Sequence, residues 1–400
     1  MKPWRRLFRS LRCRDYRLYF TGQVLSLHGT WMQSVAQSWL VYRLTGSSFL
    51  LGLVSAASLA PSLLFGLIGG VVADRLPRRR LFLFCQWLAM AQAVVLGLLT
   101  LSGRIQVWEI VLLAFLVGLV HAFEIPARHA LVGTLVPREL MHNAVALNSS
   151  AFNMARTLGP VTAGFLIPRI GEGWVFVLNA CSYLAVIVAL LRMSGEDRVP
   201  PAQRDDGLLV GLRYVWRHPP LRAAVLLIAL ASLLANPYLV LLPEYARSVL
   251  TGGAEDYGLL AGAAGAGSLL GAVALALRER ADRIERLIVL ASGLAAMALW
   301  LLAVSRSAWI AMPTLFLLGF SLTSQVAGTN TFLQLSAPEA LRGRVMSLFS
   351  VVFLGFSPLG NLLSGALADR FGVLMVFAGL GMALLVVGMP WRVRLWRAAP

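Results

Sequence analysis

The sequence predicts an all-α integral membrane protein built from two six-helix bundles related by pseudo-symmetry. Three observations indicate this class: 58% of the 400 residues are hydrophobic, only 13% are charged, and mean hydropathy is +0.75. Soluble globular chains carry about 25% charged residues. Apolar runs recur along the chain, each near the ~20 residues that a helix needs to cross a bilayer. We expect twelve transmembrane helices at 17–42, 49–73, 82–102, 107–127, 143–168, 174–192, 222–246, 256–277, 286–304, 308–329, 345–368 and 373–391.

The second half of the chain repeats the first. Pro137 coincides with Pro338 and Gly171 with Gly372 at one common offset. Such residues fix backbone shape and helix ends, so we expect an N-terminal half at 1–192, a cytoplasmic linker at 193–221 and a C-terminal half at 222–400. The remaining coinciding pairs are Phe115/Phe316, Gly118/Gly319, Leu140/Leu341, Ser149/Ser350, Gly159/Gly360, Gly164/Gly365, Arg169/Arg370 and Phe176/Phe377.

The linker contains a short amphipathic segment. Leu212, Val215 and Trp216 lie on one helical face, and Arg213 and Arg217 lie on the other. We expect this segment to lie at the cytoplasmic membrane surface.

The positive charge is concentrated on one side of the predicted topology. The formal charge is +17, and Lys2 is the only lysine. With the amino terminus inside, 28 of the 35 basic residues fall in inner segments and six in outer loops. This positive-inside pattern predicts a multi-pass protein of the bacterial inner membrane with both termini in the cytoplasm. Nucleic-acid binding is excluded, since the charges lie in seven short segments rather than on one folded face.

Several other classes are unsupported. Cys13, Cys85 and Cys181 have neither disulfide nor metal spacing, so we expect no metal or cofactor. A phosphate-binding loop needs a lysine after its glycines, which excludes an ATP-driven pump within this chain. An enzyme would need a reactive constellation at one membrane face, and only His121, Glu124 and His129 come near one. We therefore expect no enzyme.

A charged motif follows the second predicted span. It reads Gly70-Val-Val-Ala-Asp74-Arg75-Leu-Pro77-Arg78-Arg79-Arg80. It resembles the loop signature of the major facilitator superfamily, from which only Pro77 departs, where glycine is usual. With twelve spans, a two-fold repeat and a central linker, the resemblance covers the whole chain and implies a secondary transporter whose cavity lies between two halves.

The motif also makes chemical sense. A carboxylate at the edge of the hydrocarbon, such as Asp74, needs a cation or a helix amino terminus as a partner. The resemblance implies a cytoplasmic gate in which Asp74 engages the start of the eleventh span, near 344–347. It also implies that Arg75 and Arg78 approach Glu124, while anchoring of the loop to anionic lipid is the alternative. A second copy, Gly365-Ala-Leu-Ala-Asp369-Arg370, falls on the predicted outer side, where we interpret it as an echo of duplication.

The fifth span carries Gly159-Pro160 and Gly164, which resemble the signature of drug–proton antiporters. Tight helix packing explains the glycines equally well. Stretches 29–39, 126–128, 136–139 and 148–164 further resemble the branch that contains enterobactin-type siderophore exporters. These resemblances favour proton-coupled export of a siderophore or multidrug-like compound by a monomer. A lysolipid flippase or an uptake transporter of the same superfamily is the alternative.

Polar side chains within spans normally face the protein interior or a water-filled cavity. The first span carries a polar stripe that includes Gln23, Gln33 and Gln37 at helical spacing. The resemblance implies that the first, fourth, seventh and tenth spans line the cavity. The expected substrate contacts are Gln33, Gln37, Asn236 and Gln325, with Trp31 as a stacking surface. Hydrogen bonding between helices is the competing explanation for each amide.

Two further groups stand out. Arg156 lies deep in its span, where either neighbouring polar groups satisfy it or it attracts an anionic substrate. His121, Glu124 and Arg128 share one face of the fourth span, and with Asp74 and Glu244 they are the candidates for carrying protons. Glu124 has two alternative roles, as a gate partner and as the proton-carrying group.

Overall fold

The computed structural model describes residues 8–194, 208–278 and 283–398, and these contain helices and connecting turns but no strand. The basic residues 1–7 and the linker residues 195–207 lie outside this description. The helices are α1 (Arg14–Thr45), α2 (Ser48–Arg75), α3 (Arg78–Leu101), α4 (Val107–Leu135), α5 and α6 (together Met141–Leu191, divided at Gly171), α7 (Leu208–Arg217), α8 (Pro219–Val249), α9 (Ala254–Ala276), α10 (Ile284–Val304), α11 (Ala308–Ser336), α12 (Glu339–Phe371) and α13 (Val373–Ala398).

These helices confirm the predicted fold class. By length and composition, ten described helical stretches are apolar enough to cross a membrane, and Met141–Leu191 holds two spans because the chain turns at Gly171. Helix α1 completes the twelve. Its polar stripe lowers its mean hydropathy, yet at 32 residues it is ample for a bilayer. Helix α7 is the short amphipathic segment of the linker.

The internal repeat extends to backbone geometry. Gly171 has φ 80° and ψ 162°, and Gly372 has φ 79° and ψ 152°. These left-handed conformations strain any residue with a Cβ, which explains glycine in both copies. Pro137 and Pro338 likewise share extended conformations immediately before helical turns. The two halves thus turn at equivalent positions for the same physical reason.

Helices pack closely where small residues remove side-chain bulk. A Cβ on Gly118 of α4 would lie 2.3 Å from the Ser58 carbonyl oxygen of α2, and one on its repeat partner Gly319 of α11 would lie 2.0 Å from that of Ala264 in α9. Close approach maximises dispersion contacts, which hold helices together in lipid, where hydrophobic association is absent.

Contacts divide the chain into two compact units, with a boundary inside the linker. Unit 1 comprises Met1–Leu44 and Ala57–Arg204, and unit 2 comprises Thr45–Ala56 and Asp205–Pro400. Unit 2 therefore includes the first turns of α2. The predicted division into an N-terminal half at 1–192, a cytoplasmic linker at 193–221 and a C-terminal half at 222–400 stays a prediction.

Helix α7, which belongs to unit 2, has one face packed against the rest of that unit and one exposed face. Val215 is fully buried, while Leu212 and Trp216 are exposed. Gly211 lets the helix approach the start of α12, since a Cβ there would lie 2.6 Å from the Arg344 carbonyl oxygen. The exposed apolar face fits the predicted membrane-surface position, and the buried face fixes α7 to the protein.

Helix α8 is irregular. Two π-helical segments, Ala231–Ala235 and Tyr245–Val249, interrupt it on either side of Pro237 and Pro243. The first ends where the Asn236 N–H donates to the Ala231 carbonyl oxygen at 2.8 Å. Because proline cannot donate to the preceding turn, π segments are one way for the chain to remain helical through these positions.

Candidate functional site

Two adjoining cavities of about 360 and 170 Å³ lie within unit 1. They share walls formed by Gln23, Leu27, Arg128 and Phe152. The larger is bounded by α1, α4 and α5, and the smaller extends to α3 and α6. Their combined size suits a drug-sized organic molecule. The larger cavity also borders Tyr19, His129, Asn148 and Asn153, and the smaller borders Trp31, Gln86, His121, Glu124 and Tyr183.

The charged face of α4 opens into these cavities. Glu124 Oε1 lies 3.3 Å from an Arg128 guanidinium nitrogen, and Glu124 Oε2 lies 3.9 Å from His121 Nε2. Glu124 is 7% exposed, so its charge depends on this partner. Other titratable groups within electrostatic range are Tyr19, Cys85, His129 and Tyr183. The structure thus brings together the three residues that the sequence placed on one face.

Unit 1 also leaves hydrogen-bonding capacity unused at the cavity. The buried amide oxygens of Gln23 and Gln86 have no hydrogen-bond partner in the described part of the chain. Both residues line the smaller cavity beside Glu124. Buried acceptors without donors are costly, and in this structure both oxygens are closed off from solvent. Gln86 was not predicted, because it lies in the third span and the resemblance implied that other spans line the cavity. The rule that polar residues in spans face the interior or a cavity applies to it as well.

Trp31 and Phe152 form an aromatic wall of the smaller cavity, and Arg156 lies against Trp31. The Trp31 ring meets Phe152 edge-on, with ring centroids 5.8 Å apart. The Arg156 guanidinium carbon lies 5.8 Å from the centroid of the Trp31 ring and has no ion-pair partner within the described ranges. Cation–π attraction therefore holds the deep arginine.

The antiporter-like residues shape this wall. A Cβ on Gly159 would lie 2.6 Å from Trp31 Cβ, so glycine is needed for α5 to approach α1. Gly159, Pro160 and Gly164 are all buried. Pro160 leaves the carbonyl of Arg156, one turn earlier, without its usual helical donor. Close packing is the geometry that the structure gives these residues.

Gln33 lies in a buried hydrogen-bond network. Its Nε2 donates to Gln92 Oε1 at 3.1 Å, and Asn179 Nδ2 donates to its Oε1 at 2.7 Å. These bonds join α1 to α3 and α6, and Gln33 borders neither cavity. Gln37, one turn further on, is half-buried. Neither Gln92 nor Asn179 was predicted, because partners far apart in sequence leave no local pattern.

The motif at the end of α2 makes contacts different from those expected. Arg78 donates to the Ala130 carbonyl oxygen at 3.0 Å and Arg79 to that of Leu191 at 3.2 Å. Asp74 has no hydrogen-bond or ion-pair partner within the described residues of unit 1, and Arg75 is exposed. Gly70 has open space around it. In this structure Glu124 pairs with Arg128 rather than with Arg75 or Arg78, and the gate itself stays a prediction.

The two predicted contacts of unit 2 are engaged internally. Asn236 Nδ2 donates to Ser357 Oγ at 3.0 Å. Gln325 is fully buried, its Nε2 donates to the Leu227 carbonyl oxygen at 3.0 Å, and its Oε1 has no partner in the described segments. Both residues connect helices of unit 2, and their contact with a substrate stays a prediction.

Comparison with known proteins decides the family. The model of a family described as transmembrane secretion effector matches residues 7–398, nearly the whole chain. The chain belongs to this family of the major facilitator superfamily. Membership confirms the resemblance carried by the Gly70–Arg79 motif and makes the chain a multi-pass protein of a membrane transporter family.

Relatives of this secretion effector chain cover it almost completely. The multidrug efflux pump Tap of Mycolicibacterium fortuitum is 28% identical over 374 residues, which is 90% of this chain and 91% of that protein. The enterobactin exporter EntS of Shigella boydii serotype 4 (strain Sb227) is 25% identical over 378 residues, 94% of this chain and 90% of that protein. The crystal structure of a bacterial homologue of the human lysosomal transporter Spinster matches with a TM-score of 0.73 and 15% identity, covering 100% of this chain and 98% of that one. At this identity the match shows the shared fold.

Proposed function

We propose that this chain is a secondary active exporter that moves small organic molecules across the bacterial inner membrane in exchange for protons. The observation that carries the proposal is the unit 1 cavity pair with the buried Glu124–Arg128 ion pair in its wall. The relatives Tap and EntS, which carry drugs and a siderophore by name, support export as the direction. Both termini lie in the cytoplasm in this proposal, as the arginine distribution predicts.

The chemistry of the cavity favours one class of substrate. Glu124 and the unpartnered amide oxygens of Gln23 and Gln86 are acceptors, and Trp31 and Phe152 offer aromatic surface. These groups suit an amphipathic molecule with an aromatic or aliphatic body and N–H or O–H donors, including a protonated amine.

The ion pair supplies a means of coupling. A donor or cation on the substrate that binds the Glu124 carboxylate competes with a proton for the same oxygens. Competition for one site gives exchange, because each ligand promotes release of the other. An anionic substrate bound to Arg128 would have the opposite effect, since it would favour a protonated Glu124. Proton antiport therefore requires the substrate to approach Glu124 with a donor or positive charge.

The test is substrate uptake into inside-out membrane vesicles under an imposed pH gradient. The panel comprises lipophilic amine drugs, a catecholate siderophore and a lysophospholipid. We expect uptake of an amine drug or the siderophore, its loss when the gradient is collapsed, and its loss in Glu124→Gln. The matched control is Glu139→Gln, which changes an exposed carboxylate of the same chain. Uptake of the lysophospholipid alone, or uptake that persists without the gradient, contradicts the proposal.

A further inference from the structure

The first turn of α2 is capped by a carboxylate from the distant end of α12. The Ser48 N–H donates to Asp369 Oδ1 at 2.5 Å, and the Phe49 N–H donates to Asp369 Oδ2 at 3.2 Å. The Ser47 hydroxyl donates to the same Oδ2 at 2.5 Å. Both oxygens of Asp369 are therefore occupied by donors from one helix start.

This cap is unusual because of its range. The first N–H groups of a helix have no partner within it and carry the positive end of the helix dipole, so a carboxylate is favoured there. The capping carboxylate usually comes from the same helix. At the start of α9, for example, Asp256 accepts from the Gly253 N–H at 3.0 Å. Asp369 lies more than 300 residues from Ser48. It therefore connects α12 to α2 and also satisfies N–H groups in the first turn of α2.

The backbones of α2 and α12 touch below the cap. A Cβ on Gly365 would lie 2.3 Å from the Ser48 carbonyl oxygen, and one on Gly52 would lie 2.3 Å from that of Asn361. One turn deeper, Asn361 Nδ2 donates to Ser55 Oγ at 2.8 Å. The fully buried Ser48 also donates its hydroxyl to Glu244 of α8. The contact is thus a continuous seam along two turns, closed at its end by Asp369.

This seam contains the second copy of the charged motif, for which the fold alone gave no explanation. Gly365-x-x-x-Asp369-Arg370 has the same spacing as Gly70-x-x-x-Asp74-Arg75, and both end a helix. In the C-terminal copy, the glycine allows the approach and the aspartate caps the partner helix. The second copy therefore caps and packs against another helix in this structure, which the sequence alone did not indicate.

We propose that Asp369 is a positioning residue for transport, which latches α2 to α12 at the predicted outer face and must release α2 before that face can open. The proposal rests on the transport function given above. Asp369 is exposed, so its carboxylate can exchange helix N–H groups for water at small desolvation cost. The latch is therefore reversible, unlike a carboxylate buried in the helix packing.

The test measures opening directly. Ser55 lies seven residues, or about 10 Å, into α2, beneath the latch. In a Ser55→Cys background, intact cells are treated with a membrane-impermeant maleimide, and labelling is corrected for the parent chain without this cysteine. We expect Asp369→Asn to raise the labelling rate about tenfold, because an uncharged amide weakens all three contacts and shifts the population toward the open form.

Control variants separate latching from capping. Asp256→Asn removes the charge of a local cap in the same unit and should leave the labelling rate within about twofold of the background. Ser47→Ala, which removes one bond and keeps the two backbone contacts, should raise the rate about threefold and serves if Asp369→Asn folds poorly. Thermal unfolding of each variant is measured in parallel.

Equal labelling rates for Asp369→Asn, Ser47→Ala and Asp256→Asn overturn the latch. So does a rise that tracks only the loss of thermal stability across all three. Vesicle uptake by the unaltered chain distinguishes the two proposals: absence of uptake with a latch-dependent labelling rate counts against the exporter function, and normal uptake with unchanged labelling counts against the latch.

Discussion

Replacing Glu124 by glutamine should uncouple substrate binding from proton release. The change removes one charge from an oxygen–nitrogen pair 3.3 Å apart, whose Coulomb attraction at an effective dielectric constant of 20 is about 5 kcal/mol. Glutamine keeps an acceptor for Arg128, so the loss of stability should be below the ~3–5 kcal/mol found when a buried pair loses a partner. The fold should therefore survive while the exchangeable proton site disappears.

The magnitude follows from competition at one site. A substrate that competes with one proton for the Glu124 carboxylate should bind up to about tenfold more tightly for each unit rise in pH. In Glu124→Gln this slope should vanish. The number of protons released on substrate binding should be close to zero in Glu124→Gln and larger in the unaltered protein.

The assay is isothermal titration calorimetry of the purified protein in lipid nanodiscs. Binding is measured in buffers that differ in ionisation enthalpy, which gives the number of protons released. Glu139→Gln, the exposed control, should behave as the unaltered protein. Proton release in Glu124→Gln that equals that of the unaltered protein would exclude Glu124 as the coupling group.

Three further substitutions test the surroundings of the cavity. Trp31→Ala should weaken substrate binding by ~0.5–2 kcal/mol, measured by titration, while Trp31→Phe keeps most of the affinity; equal losses would remove the stacking role. Gln33→Ala should lower stability by ~1–3 kcal/mol in thermal unfolding, because it leaves the buried Asn179 amide without its acceptor; lost affinity at unchanged stability would instead make Gln33 a substrate contact. Gly171→Ala should cost ~1–2 kcal/mol, since alanine must adopt φ 80°, whereas Gly133→Ala in an open helical position should not destabilise.

The sequence predicted the parts of this molecule that local pattern controls. Apolar runs of bilayer length became helices, and Gly171 and Gly372 turned the chain at equivalent places. His121 and Glu124 faced one another because residues three apart share a helical face. In each case the physical cause lies within a few residues of the effect.

The missed features depend on distant partners. Gln33 was expected either at the substrate or in hydrogen bonding between helices, and whether its amide meets Gln92 and Asn179 depends on how three helices rotate about their axes. The Asp369 cap joins residues more than 300 positions apart, so no local pattern predicts it. The π segment before Asn236 was equally unpredictable, because apolar periodicity does not show where a helix changes its hydrogen-bonding pattern near a proline.

The internal repeat sharpens the assignment of coupling to unit 1. At the offset that aligns Gly118 with Gly319, Glu124 corresponds to Gln325 and Arg128 to Thr329. Both unit 2 residues are fully buried, and each has an oxygen without a partner in the described part of the chain. The duplicated scaffold thus carries a neutral pair in α11 where α4 carries an ion pair. The C-terminal copy therefore already has, at Gln325, the residue that Glu124→Gln introduces in the N-terminal copy. Because Gln325 cannot exchange a proton at physiological pH, a proton carried by this pair of positions must be carried by α4.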